Sequence, residues 1–170
     1  ALEELGFESA RQYAHERVFH QHAVIDDSQE LQRFDCRLTV RALESGTCRL
    51  PAVYVLEPTE PNVEPHYVAL EGCTRGRRVC WPERRAYGVE ILVDGTPAAG
   101  QVATFAYRVE MRARATDVTG AMYSLPRRAN DVLLEVEFRG DRRPMDCERY
   151  RRTQSGEVIT PVRLDHRNRL

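Results

Sequence analysis

His20 and His22 stand two residues apart, and on an extended strand that spacing puts both imidazoles on one face. Together with His15, Asp26 or Asp27 they have the nitrogen and carboxylate donors that hold a divalent transition metal. An H-x-H pair is also common on a solvated edge strand, and that reading is preferred; no metal and no other cofactor is expected. Cys73, between Gly72 and Thr74, would become nucleophilic if a basic neighbour such as Arg75 lowered its pKa, but nothing in the spacing brings a histidine beside it. Ser9, Ser28, Ser45, Ser124 and Ser155 all lie outside any G-x-S-x-G elbow. The stretch Gly72-Cys73-Thr74-Arg75-Gly76 matches neither a Walker loop nor a dinucleotide fingerprint. No catalytic residue is expected, and the chain reads more as a binding protein than as an enzyme.

Two further groupings could bind rather than react. Arginine pairs recur at Arg77-Arg78, Arg84-Arg85, Arg127-Arg128, Arg142-Arg143 and Arg151-Arg152, and gathered on one face they would hold phosphates. Acids are interleaved with them and the net charge is −1, so direct contact with nucleic acid is not expected. Trp81, Tyr87, Phe105, Tyr107 and Met111 come from neighbouring segments and could line an apolar pocket, with Arg108 and Glu110 on the opposite face of the same strand as polar anchors. The competing reading is that these aromatics fill the core. The ligand-binding candidates are accordingly Trp81, Tyr87, Phe105, Tyr107 and Arg108.

The elements that would position these residues are strands. Phe34, Cys36, Leu38, Val40 and Ala42 alternate with Arg33, Asp35, Arg37, Thr39 and Arg41, a period of two that no helix presents. From Tyr87 to Arg112 two alternating runs flank Asp94-Gly95-Thr96-Pro97-Ala98-Ala99-Gly100, which predicts an antiparallel hairpin with one dry and one wet face. Val132, Leu134, Val136 and Phe138 alternate with Glu135 and Glu137. The mostly polar run Gln12 to Ile25 predicts an edge strand. Pro51 to Leu56, His66 to Leu70, Arg78 to Trp81, Met122 to Leu125, Met145 to Arg152 and Val158 to Leu164 supply shorter ones, the last marked as an edge by Pro161. Pro58, Pro61 and Pro65 make Glu57 to Pro65 a loop. About nine to eleven strands, with turn signals every eight to fourteen residues and a short helix or linker remnant over residues 1–11, specify an all-β fold. An antiparallel β-sandwich is the expected architecture and a closed β-barrel the alternative.

Length and composition bound the rest. A chain of 170 residues, 42% hydrophobic and 30% charged, suits a single globular domain over 1–170. It has no apolar run long enough for a membrane helix, and Ala1-Leu2-Glu3-Glu4-Leu5 is unlike a signal peptide. The five cysteines, irregularly spaced and without C-x-x-C, fit a reduced, cytoplasmic compartment better than a disulfide framework. Residues 1–31 hold seven acids against two arginines, whereas 139–170 hold nine arginines against five acids. That asymmetry could steer a partner or let the two ends of the chain attract each other, and the second reading is preferred.

Thr39-Val40-Arg41-Ala42-Leu43-Glu44-Ser45-Gly46, then Ala69-Leu70-Glu71-Gly72-Cys73, then Gly100-Gln101-Val102-Ala103-Thr104-Phe105-Ala106-Tyr107-Arg108 carry a rhythm of R-A-L-x-x-G, L-x-G-C and T-F-x-Y-R. It resembles the β-rich C-terminal region behind the helix-turn-helix of some lambda-repressor-type regulators from GC-rich bacteria, over roughly residues 33–140. The resemblance implies a sensor or oligomerisation module and fixes no functional residue. The expected function is therefore a non-enzymatic binding or regulatory domain, the effector part of a transcriptional regulator. It would sense a small molecule or mediate protein–protein association, with a homodimer through an edge strand as one form. The alternative is a small β-barrel enzyme or carrier for a bulky apolar biosynthetic intermediate.

Overall fold

The computed structural model describes residues 13–26, 31–56, 63–112, 131–139, 147–153 and 156–162. The readings that fall on residues 1–11, on Asp27, on Met122 to Leu125, and on Arg127-Arg128 and Arg142-Arg143 lie outside them. The described residues form ten strands: β1 (Tyr13–Asp26), β2 (Leu31–Ala42), β3 (Arg49–Val55), β4 (His66–Glu71), β5 (Cys73–Trp81), β6 (Ala86–Val93), β7 (Val102–Arg112), β8 (Asp131–Arg139), β9 (Cys147–Thr153) and β10 (Gly156–Val162). Among the described residues the helical content is one 3-10 turn, Pro82–Arg84, and no helix is long and apolar enough to cross a membrane.

A five-stranded sheet in the order β4-β7-β2-β1-β8 packs on a three-stranded sheet in the order β3-β6-β5. Both sheets are open, so the architecture is sandwich-like and not a closed barrel. Period two explains the packing. Phe34, Cys36, Leu38 and Val40 of β2 and Phe105, Tyr107 and Val109 of β7 face Leu50 and Ala52 of β3 and Val89, Ile91 and Val93 of β6 in one continuous core. Phe34 meets Tyr54 across it at a ring-centroid distance of 5.8 Å. Phe19, Val89, Ile91 and Phe105 are completely withdrawn from solvent.

The predicted hairpin between Tyr87 and Arg112 does not exist as a pair. β6 belongs to the three-stranded sheet and β7 to the five-stranded one. Both runs have a dry face, as their alternation requires, but the faces meet across the core instead of lying side by side, and Asp94 to Gln101 arches from one layer to the other. Alternation fixes which face is buried; it is the same for a hairpin and an arch. β4 and β5 are likewise split between the layers, with Gly72 as the corner. Gly72 has φ +63°, and a Cβ there would stand 2.6 Å from the Thr104 carbonyl oxygen, so both its dihedral and its clearance demand glycine. Its carbonyl accepts the Asp94 N–H at 2.9 Å, which ties this corner to the β6–β7 arch.

Two other expectations are corrected. β1 is not an edge strand, because β8 pairs along its far side; and that pairing is parallel, so the five-stranded sheet is mixed and not wholly antiparallel. The polarity that suggested an edge comes from His20 and His22, whose partners are carboxylates on β8. β9 and β10 form a separate antiparallel pair, with Pro161 opposite Glu148 on a strand that is an edge, as expected. Among the described residues β1 and the β9–β10 pair belong to different sheets.

Candidate functional site

The five candidate ligand-binding residues are not gathered around one hollow. Phe105 and Tyr107 point into the main core between the sheets. Tyr87 packs with Leu56 and Met111 in a second cluster. Trp81, at the end of β5, packs with Ala86 and the flank of Val79 in a third. Arg108 lies on the outer face of the five-stranded sheet, where neighbours in β7 alternate away from it. A hollow lined by Glu44, Ser45, Gly46, Thr47 and Cys48 measures about 40 Å³, room for about one water and no metabolite.

What the sequence reading missed is how the outer face of the five-stranded sheet is wired. Register places Asp35 of β2 opposite Arg108 of β7, and the guanidinium grips it with both ends, Nε donating to Oδ1 at 2.5 Å and Nη2 to Oδ2 at 3.2 Å. Asp35 holds the Arg108 pKa above its ordinary value, by hydrogen bond first and by charge second. Arg33 reaches the other side of Asp35 at 3.5 Å, Glu110 lies 3.7 Å from Arg108, and His66 of β4 lies 3.7 Å from Glu110. Farther along, Arg37 donates to Glu71 at 2.6 Å and Thr39 shares a hydrogen bond with Thr104 at 3.0 Å. On the β8 side His20 Nε2 lies 2.5 Å from Glu135 Oε2, and His22 Nε2 lies 3.1 Å from Glu137 Oε2. The alternation of β2 shows that Arg33, Asp35 and Arg37 share a face, but their partners depend on register with β7, which one strand does not encode.

This wiring binds strand to strand, since every charge named is engaged by a neighbour across or along the sheet. His20 and His22 do share a face, as their spacing requires, and each is occupied by its own glutamate. The side chains of His15 and Asp26 lie outside the described ones, and among the described residues no cluster of three or more His, Cys, Asp or Glu is arranged to hold a metal. Of the paired arginines, Arg77 lies 3.9 Å from Glu90 and Arg78 is hydrogen-bonded to Glu64.

Burial makes Cys48 and Cys73 poor nucleophiles. Cys36, Cys48 and Cys73 are buried free thiols and Cys80 is exposed. Burial pushes the Cys73 and Cys48 thiols up from their ordinary value, and Cys73 donates its hydrogen to the Ala106 carbonyl at 3.2 Å, bracing the corner at Gly72. Burial likewise raises the Tyr67 hydroxyl, which donates to the Tyr87 carbonyl at 3.0 Å and bridges the two layers.

No family model matches this chain, and no curated protein matches it. Among solved structures it is similar to a mutant M1 zinc metallopeptidase from Deinococcus radiodurans bound to a Tyr-Ser-Ala substrate, at 18% identity and a TM-score of 0.35 over 56% of this chain and 20% of that one. It is also similar to two-domain M1 zinc metallopeptidase mutants bound to L-tryptophan and to L-arginine, each at 16% identity and a TM-score of 0.31 over 63% of this chain and 22% of theirs. The chain thus spans about a fifth of the length of these proteins. Scores at this level transfer neither a fold nor a chemistry to it.

Proposed function

We propose that this chain is a non-enzymatic regulatory domain that works by protein–protein association, the effector-side module of a transcriptional regulator. The observation that carries the reading is where its apolar side chains go. The aromatics that could have lined a pocket are divided among three dry clusters, while Val132, Leu133, Leu134 and Val136 of β8 stand exposed on a strand at the end of a sheet. Exposed apolar side chains in a contiguous run mark a surface for a partner. The resemblance to the region behind a helix-turn-helix supports the regulatory half of the reading, and a cytoplasmic setting accompanies it.

A thermal-shift screen against a metabolite library tests this. A small molecule held at a hundred times its Kd stabilises the folded state by about 2.7 kcal/mol, several degrees for a domain of this size. The association reading expects no such shift. A metabolite that raises the melting temperature by several degrees overturns it in favour of a small-molecule sensor, or of a carrier or enzyme.

A further inference from the structure

We infer that the partner of β8 is a second copy of this chain, paired antiparallel with itself about Glu135. The inference rests on the association reading above and adds to it the identity and register of the partner.

β8 is the last strand of its sheet. β1 occupies one side, and among the described residues no strand pairs with the other, so β8 is the edge to which a further strand would add. The step in burial across this boundary is abrupt. Phe19, Gln21 and Ala23 of β1 are 0%, 7% and 1% exposed, while their register neighbours Val132, Leu134 and Val136 are 42%, 49% and 42% exposed. The core-facing side of the sheet therefore continues apolar past the point where cover ends.

The sequence of β8 says what fits there. Read antiparallel against itself about Glu135, Asp131 stands opposite Arg139, Val132 opposite Phe138, Leu133 opposite Glu137 and Leu134 opposite Val136. Arg139 is held by Glu137 of its own strand, Nε donating to Oε1 at 2.9 Å, and in this register Asp131 of the second copy joins that pair at each end, while the apolar pairs continue the dry face from one sheet into the other. A parallel in-register pairing would instead set Asp131 on Asp131 and Arg139 on Arg139. At the axis the two Glu135 carboxylates approach each other, and each is already engaged by His20 of its own chain at 2.5 Å. The product is a continuous sheet of ten strands, five from each copy.

Analytical ultracentrifugation of the 170-residue chain over a hundredfold concentration range, with matched β8 variants, tests the register. The expected result is a reversible monomer–dimer equilibrium. Leu134→Lys abolishes it, and Asp131→Arg or Arg139→Asp each weakens it about tenfold or more, through two pairs turned from attraction to repulsion. The double variant Asp131→Arg with Arg139→Asp returns to within about threefold of the parent, because swapped charges are complementary again only in the antiparallel register. Thermal melting of each variant in its monomeric form confirms that the sandwich is intact. A dimer indifferent to these changes, or a double variant no better than the singles, overturns the proposal. So does a monomer at every concentration, where hydrogen exchange separates two causes: slow β8 amides mean that another segment of the same chain covers the edge, fast ones that the partner is a different protein. The second leaves the association reading standing, whereas a metabolite found by thermal shift removes that reading whatever the oligomeric state.

Discussion

β7 and β8 belong to the same sheet and carry the same kind of alternation, yet one is the centre of the molecule and the other its margin. Phe105, Tyr107 and Val109 of β7 are buried because β3 and β6 lie over them. Val132, Leu134 and Val136 of β8 have an equally apolar face, yet each is exposed and no described strand lies over it. Among the described residues the two sheets are mismatched in width, five strands against three, so the smaller sheet lies over the middle of the larger one and leaves its β8 side overhanging. An alternating strand therefore announces that one face seeks cover, without stating whether its own chain supplies it.

The sharpest way to break the comparison is to cut a hole at its centre. Phe105→Ala removes a ring with no solvent exposure at all and should cost about 3–5 kcal/mol in unfolding free energy, read by urea denaturation. Had Phe105 lined a ligand cavity, the substitution would cost far less, because the space would already exist.

Next in size is the corner that sends β4 and β5 into opposite layers. Gly72→Ala combines a left-handed φ with a methyl forced against the Thr104 carbonyl, and roughly 2–4 kcal/mol of destabilisation is expected. Gly95 also has a left-handed φ, +76°, but nothing lies within 4 Å of its Cβ position. Gly95→Ala should thus cost about 1–2 kcal/mol, the dihedral penalty alone. Equal losses in the two variants would show that the close approach at Gly72 does not matter.

These two glycines mark the limit of what the sequence discloses. Strand faces were legible: the alternation of Phe34 to Ala42 and of Ala103 to Met111 names the buried side chains correctly, because burial parity is local. Pairing was not. Gly95 and Gly100 look like hairpin residues, yet they serve an arch, and only the packing of β6 on a different sheet distinguishes the two. β1 looked like an edge because His20 and His22 are polar, although their partners Glu135 and Glu137 lie more than a hundred residues along the chain. The aromatic candidates failed to meet for a related reason. Trp81, Tyr87 and Phe105 are close in sequence, but Trp81 shares a face with its partner Ala86 and not with Tyr87, and the arch carries Phe105 into the other layer.

Smaller effects belong to the wet face. A double-mutant cycle with Asp35→Ala and Arg108→Ala should give a coupling of about 1 kcal/mol, more than an ordinary surface pair because both side chains are about three-quarters covered and the grip is two-pronged. A coupling near zero would mean that the outer face is merely solvated and contributes nothing to strand order.

The Cys48 and Cys73 thiols and Tyr67 give a pH test of the same contrast. Their pKa values are raised by burial, so the folded state keeps protons that the unfolded chain releases. The stability they contribute is complete below the ordinary thiol value of 9.0 and falls as pH rises above it, through the raised folded-state values. Cys73→Ala should flatten the first part of that alkaline decline, at the cost of the hydrogen bond to Ala106.

The smallest effect is the most informative about β8. Leu134→Ala, measured by denaturation at concentrations where the chain is monomeric, should change stability by about 0.5 kcal/mol or less, because half of that side chain is already in water. Leu38→Ala, on β2 and 3% exposed, should cost about 2–5 kcal/mol. If the β8 face exists for a second copy, the Leu134 variant has a further signature. Its stability relative to the parent should worsen as protein concentration rises, since only the parent gains from mass action. A concentration-independent difference would leave Leu134 as an uncovered leucine with no partner of its own kind, and the overhang of the larger sheet would then be free for a different protein.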